Sequence, residues 1–185
     1  MQWVVLAAVV LVLGWLVATY NGLVALRQRV AQAFGDVDVQ LKQRHDLIPN
    51  LVETVKAYAG HERATLDAVV QARNAAVSAQ GPNQQAASEG VLQGALGRLV
   101  GLSEAYPDLK ASANFQALQG DLADIENKLA AARRFFNNAV AEYNAAIGAI
   151  PAALFAGPLG FRPHTFFDVG ETQRLALDVP PAVRF

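Results

Sequence analysis

The first charged side chain of this protein is Arg27, and every residue from Trp3 to Ala18 is apolar or glycine. That run is enough helix to cross a hydrocarbon core of roughly 30 Å, where only a helix satisfies a lone segment's backbone groups. The segment is therefore expected to be a transmembrane helix. A secretory signal would have a basic start, a shorter apolar stretch and a small-residue cleavage motif. Met1-Gln2-Trp3 carries no Lys or Arg, so the helix is expected to be retained as a single-pass anchor. Arg27, Arg29, Lys42 and Arg44 follow the span and no basic residue precedes it. The positive-inside rule then puts the N-terminus outside and the body in the cytoplasm, at a bacterial-type inner membrane. Trp3 and Tyr20, about 25 Å apart along a helix, suit aromatic anchors at the two interfaces, whereas Trp15 falls outside that belt. Gly14, Ala18 and Gly22 share one face in a small-xxx-small pattern that lets two membrane helices approach closely. Incidental glycines on a lone span are the alternative reading of that face.

The chain has no cysteine, which removes lipoprotein processing, disulfides and thiolate metal sites. The soluble part must hold itself together by packing. A net charge of −1 with scattered basic residues lacks the clustered positive field that tracks a phosphate backbone, so no nucleic-acid partner is expected.

Downstream of the span, Val30, Phe34, Val37, Leu41, Ile48, Leu51, Val55, Tyr58, Leu66 and Val69 recur mostly in steps of three and four, with Arg44 and Glu62 holding two places in the series. This spacing predicts one very long helix continuous with the anchor. Pro49 removes a backbone donor and crowds the carbonyl of His45, which predicts a kink or brief break there. Ser78 to Gln85 reads as a loop, because Gly81 and Pro82 interrupt the pattern. A second, glycine-weakened helix follows, with Val91, Leu92, Ala95, Leu96, Leu99, Leu102 and Tyr106 on its apolar face, ending at Pro107-Asp108. The third runs from Phe115 through Leu118, Leu122, Ile125, Leu129, Ala132, Phe136, Val140, Tyr143 and Ile147 to Ile150, ending at Pro151. Beyond it Phe155, Phe161, Phe166, Phe167 and Phe185 are spaced by Gly and Pro, and Leu175, Leu177 and Val179 alternate in strand fashion. The expected fold is all-α: a transmembrane anchor over residues 1–26, a cytoplasmic antiparallel bundle of three long helices over 27–150, and an extended aromatic tail over 151–185. That tail packs on the bundle or on a neighbour, with Phe161, Phe166, Phe167 and Phe185 as its docking residues.

The residues offer little chemistry. The three histidines are His45, His61 and His164, and the first two lie about 24 Å apart on a straight helix. His61-Glu62 starts like a zinc-protease motif, but Thr65 stands where the second histidine belongs. Asp36 and Asp38 point to different sides of a helix. No catalytic residue, metal site or cofactor is expected. One polar cluster remains: Gln40, Arg44, His45, Asp46 and Asn50 crowd around Pro49, where a freed carbonyl recruits side chains. A partner-binding or helix-helix contact is one reading of it, and internal satisfaction of the backbone is the other.

The string Val37-Asp-Val-Gln-Leu-Lys-Gln-Arg-His-Asp-Leu-Ile-Pro-Asn-Leu-Val-Glu-Thr-Val-Lys56, followed by Tyr58 and His61-Glu62, resembles the signature of the LemA family. Tyr20-Asn21, Leu23-Val24, Arg27, Tyr106-Pro-Asp-Leu-Lys110, Glu126-Asn127, Arg133, Phe136-Asn137, Tyr143-Asn144 and Phe161 carry the likeness along nearly the whole chain. The resemblance implies a single-span membrane protein with a short outward N-terminus and a long-helix cytoplasmic bundle. It supplies no activity. Gly35 and the glycines of the second helix depart from good helix formers. Two binding functions compete, a scaffold that self-associates along the membrane and an adaptor or regulator of a membrane protease or envelope-stress component, and an enzyme with an unrecognised site, which retained metal or nucleotide would reveal, is the third and least favoured reading. Both make membrane lipid a partner. The first adds further copies of the chain, and the second adds other membrane proteins.

Overall fold

A computed structural model describes residues 1–168, and over these the chain is all-helical, without strands. Five helices follow one another: α1 Gln2–Ala59, α2 Arg63–Ser78, α3 Gly81–Leu102, the single-turn-sized α4 Pro107–Ala111, and α5 Ala113–Gly148. Short 3-10 turns occupy Ser103–Ala105 and Ala152–Leu154. Among the described residues, helix α1 alone is long and apolar enough to cross a membrane, and none of its apolar window is buried.

The described residues fall into two compact units. One comprises residues 1–37 and 132–165. In it Val30, Ala33 and Val37 of α1 and Phe136, Val140 and Tyr143 of α5 are buried. Phe34 packs on Phe136 with ring centroids 5.3 Å apart, and Arg29 bonds Glu142 at 3.1 Å. Numbers fall along one helix as they rise along the other, so the two run antiparallel here. The other unit takes in residues 38–131, with the described Phe166 to Asp168. Its core joins four helices and α4: Ile48, Leu51 and Val55 of α1, Leu66 and Val69 of α2, Leu92 and Leu99 of α3, Leu109, and Phe115 of α5. A fully buried leucine of this kind contributes about 1.5–3 kcal/mol by leaving water.

The structure departs from the helical periodicity at five places. The long first helix does not break at Pro49; it stays helical from Gln2 to Ala59 and ends at Gly60. The His45 carbonyl, deprived of the proline's N–H, accepts instead from Arg73 Nε of α2 at 3.3 Å. A side chain from a neighbouring helix thus replaces the missing backbone donor. At Gly60 the chain folds back so tightly that a Cβ would lie 2.8 Å from the Lys56 carbonyl oxygen, which only glycine tolerates. What the periodicity joined from Val30 to Val69 is therefore two helices.

The expected loop from Ser78 to Gln85 contracts to Ala79 and Gln80. Gly81, at φ 75°, turns the chain, and Pro82 sits in the first turn of α3, where a proline has no intrahelical bond to lose. Pro107 likewise opens α4 instead of ending the second helix. Finally Tyr58, Val91 and Ile150 are exposed. Ala59 takes the inward place next to Tyr58 and is fully buried. The strand-like alternation at Leu175, Leu177 and Val179 lies outside the described residues.

Candidate functional site

Helix α1 carries Arg44 in a series of inward positions, between Leu41 and Ile48, so folding takes a guanidinium out of water. Burying an unpaired charge costs several kcal/mol. The structure supplies the partner from α3: Glu89, which also holds an inward position between Ala86 and Leu92. Arg44 Nη1 donates to Glu89 Oε2 at 3.0 Å, with the two side chains 4% and 1% exposed. The second Arg44 nitrogen donates to Gln93 Oε1, and Glu126 of α5 lies 3.3 Å from Nη1. His45 Nε2 meets the other Glu89 oxygen at 2.6 Å. An ionised carboxylate only accepts, so this nitrogen carries the proton. One buried carboxylate thereby gathers two consecutive side chains of α1, and the arginine reaches on to α5. With Arg73 on the His45 carbonyl, the node touches α1, α2, α3 and α5.

Of the residues singled out around Pro49, the structure buries Arg44 and His45 and half-buries Gln40, whose Oε1 accepts no hydrogen bond. Asp46, Pro49 and Asn50 face solvent. Asp46 is held below the ordinary carboxyl value by the Lys42 ammonium bonded to it at 2.6 Å. The Asn50 carbonyl accepts from Thr54 Oγ1 at 2.8 Å, and Thr54 in turn accepts from Asn114 of α5 at 3.0 Å. Glu89, Gln93 and Arg73 take no part in the sequence reading and Glu126 enters it only through the family resemblance, although Glu89 shows the same signal as Arg44, a charge at an inward position of an apolar stripe.

Two open clefts flank the node. One, about 310 Å³, is walled by Asp38, Lys42, His45, Arg73 and Gln85. The other, about 330 Å³, is walled by Arg44, Gln93, Val100, Leu122 and Glu126. Neither brings a hydroxyl or thiol nucleophile to His45. Among the described residues no three His, Asp or Glu side chains converge as a metal site needs.

The residues of the failed zinc motif meet Tyr106 instead. Its hydroxyl donates to Glu62 Oε1 at 3.1 Å and accepts from His61 Nε2 at 2.5 Å. Desolvation, reinforced by the Glu62 carboxylate, raises the phenol above its ordinary value of 10.0. The neutral phenol is the form the fold favours, so its contribution to stability is intact below pH 10 and is lost as pH rises through the raised value. In an alkaline absorbance titration Tyr106→Phe should remove part of the high-pH step, and Glu62→Gln should move that part to lower pH. A titration unchanged by Glu62→Gln would break this link.

In the apolar segment of α1, Gly14, Ala18 and Gly22 are exposed, and nothing lies within 4 Å of a Cβ built on either glycine. Among the tail residues Phe161 is buried, edge-on to Tyr20 at 5.6 Å and beneath the Arg27 guanidinium at 5.4 Å. Phe167 is buried and Phe166 exposed. Phe185 lies outside the described residues.

Residues 33–185 match the model of the LemA family. Three curated relatives are magnetosome proteins. MamQ of Magnetospirillum gryphiswaldense is 25% identical over 178 residues, covering 82% of this chain and 65% of that protein. MamQ 2 and MamQ 1 of Paramagnetospirillum magneticum are each 24% identical over 186 residues, covering 86% of this chain and 68% of theirs. The chain thus spans just under two thirds of the length of the first of these relatives.

Proposed function

The chain belongs to the LemA family, and from that premise we propose that it is a single-pass scaffold of the bacterial inner membrane, self-associating at the cytoplasmic face and catalysing nothing. The observation that carries this reading is α1 itself. The exposed apolar segment and the helix that bears Leu51, Arg44 and His45 are one element, Gln2–Ala59. Membrane anchoring and assembly of the helical core therefore reside in the same stretch of chain. The basic residues just after the span support a cytoplasmic body, and the small-residue face of Gly14, Ala18 and Gly22 offers a close-approach surface to a second span. The relatives are named for the magnetosome and not for a reaction, which accords with a structural role. An adaptor for a membrane protease or envelope-stress component is the second reading, favoured by the two open clefts beside the ion pair.

Native mass spectrometry of the full chain in nanodiscs separates the two. The scaffold reading expects a discrete oligomer that falls to monomer in Gly14→Leu/Gly22→Leu. A monomer throughout would overturn self-association and leave the adaptor.

A further inference from the structure

No charged side chain occurs between Glu142 and Arg162. After α5 ends at Gly148, residues Ala149 to Gly160 form a run of tight turns closed by backbone bonds, among them Ala153 N to Ala149 O at 2.9 Å and Phe161 N to Ala156 O at 2.9 Å. This knob is pinned within its own unit. Phe161 packs on Tyr20, and Asn144 bonds the His164 backbone through both amide atoms at 2.9 Å. Yet Ile150, Leu154 and Leu159 are 82%, 75% and 53% exposed. Large apolar side chains exposed together in one ordered segment mark a surface fit to be covered. Phe155 and Leu159 also close an apolar cleft of about 470 Å³ whose other wall is Leu16, Val17 and Tyr20 of α1.

That second wall identifies what covers the surface. Leu16 and Val17 belong to the apolar segment, so when α1 spans a bilayer they stand in acyl chain and the groove they share with the knob is continuous with lipid. Leu16 to Tyr20 is about 6 Å of helix rise, which matches the roughly 5–10 Å to which interfacial elements sink at the headgroup boundary. Arg162, two residues past the knob, and Arg27, whose guanidinium lies over the Phe161 ring, suit the headgroup layer as snorkelling cations. We propose that residues 149–160 form a second membrane contact, a lipid-immersed shoulder beside the end of the span, with an acyl chain in the Leu16–Leu159 groove. This rests on the reading of α1 as a span and adds to it a second point of membrane attachment, far along the sequence from the first.

The absence of cysteine permits single-site spin labelling of the full chain in phosphatidylglycerol–phosphatidylcholine nanodiscs. Labels at Leu154→Cys and Leu159→Cys are compared with Leu11→Cys in the span and Val77→Cys on α2, by accessibility to oxygen and to a water-soluble nickel chelate. The proposal expects an oxygen-to-nickel ratio at 154 and 159 several-fold above that at Val77→Cys, approaching Leu11→Cys. Water-like values at 154 and 159 with a lipid-like value at 11 would overturn the shoulder and leave the span. A water-like value at 11 would overturn the span and the shoulder with it. Protection from both reagents at 154 and 159 would mean that protein, such as a second copy, covers the knob, and would overturn lipid as its occupant.

Discussion

Leu51→Asp is expected to abolish cooperative unfolding, whereas Tyr58→Asp, one heptad later, should change stability by no more than about 0.5 kcal/mol. Leu51 is 0% exposed in the core that joins α1, α2, α3 and α5. An aspartate there would stand in a cluster of buried apolar side chains, and the cost of an unpaired buried charge, about 5 kcal/mol or more, is comparable with the roughly 5–15 kcal/mol that holds a whole domain together. Tyr58 is 44% exposed and next to the Gly60 turn, so a charge there stays in water. Urea unfolding followed by circular dichroism in mild detergent reads both. A destabilised Tyr58→Asp would mean that the apolar stripe continues past the turn, and a cooperative, stable Leu51→Asp would mean that the core is placed on the wrong face.

Glu89→Ala is expected to cost about 3 kcal/mol, near the lower end of the range for breaking a buried pair. Arg44 would lose its closest carboxylate while keeping Glu126, which is itself partly exposed, and His45 Nε2 would lose its acceptor. Arg44→Met/His45→Leu/Glu89→Leu, which removes all three groups at once, should lie within about 1 kcal/mol of the parent, since apolar packing replaces both the attraction and the desolvation cost. The same unfolding measurement distinguishes the outcomes. If Glu89→Ala costs less than about 1 kcal/mol, the node is not held dry. If the triple variant is as unstable as the single one, the ion pair supplies net stability that hydrophobic packing cannot restore.

Several parts of this architecture were legible in the residues because they depend on periodicity. Buried Val37, Leu41, Ile48, Leu51 and Val55, like Phe136, Val140 and Tyr143, follow from steps of three and four along a helix. Helix ends were less legible, because the same residue punctuates in opposite senses. Pro82 and Pro107 read as terminators and stand in first turns, while Pro49 reads as a kink or brief break and lies inside an unbroken α1. Gly60 ends α1 through a steric approach to Lys56 that no pattern displays. The polar node was half visible. Arg44 interrupts an apolar series, and Glu89 between Ala86 and Leu92 carries the same mark of a charge where an aliphatic residue belongs.

The sequence by itself determined what depends on local and one-dimensional properties: an apolar segment too long and too uncharged to be ordinary surface, helical periodicity, and the absence of any cysteine. Only the tertiary structure decided which charges meet. Arg44 and Glu89 are brought to 3.0 Å by the return of the chain through α2, and Arg73 reaches the carbonyl that Pro49 leaves free. It also decided that Phe155 and Leu159, in the uncharged stretch after α5, stand beside Leu16, Val17 and Tyr20 of α1. Burial and pairing are properties of juxtaposition, and a helical repeat specifies which face is apolar without specifying what that face will touch.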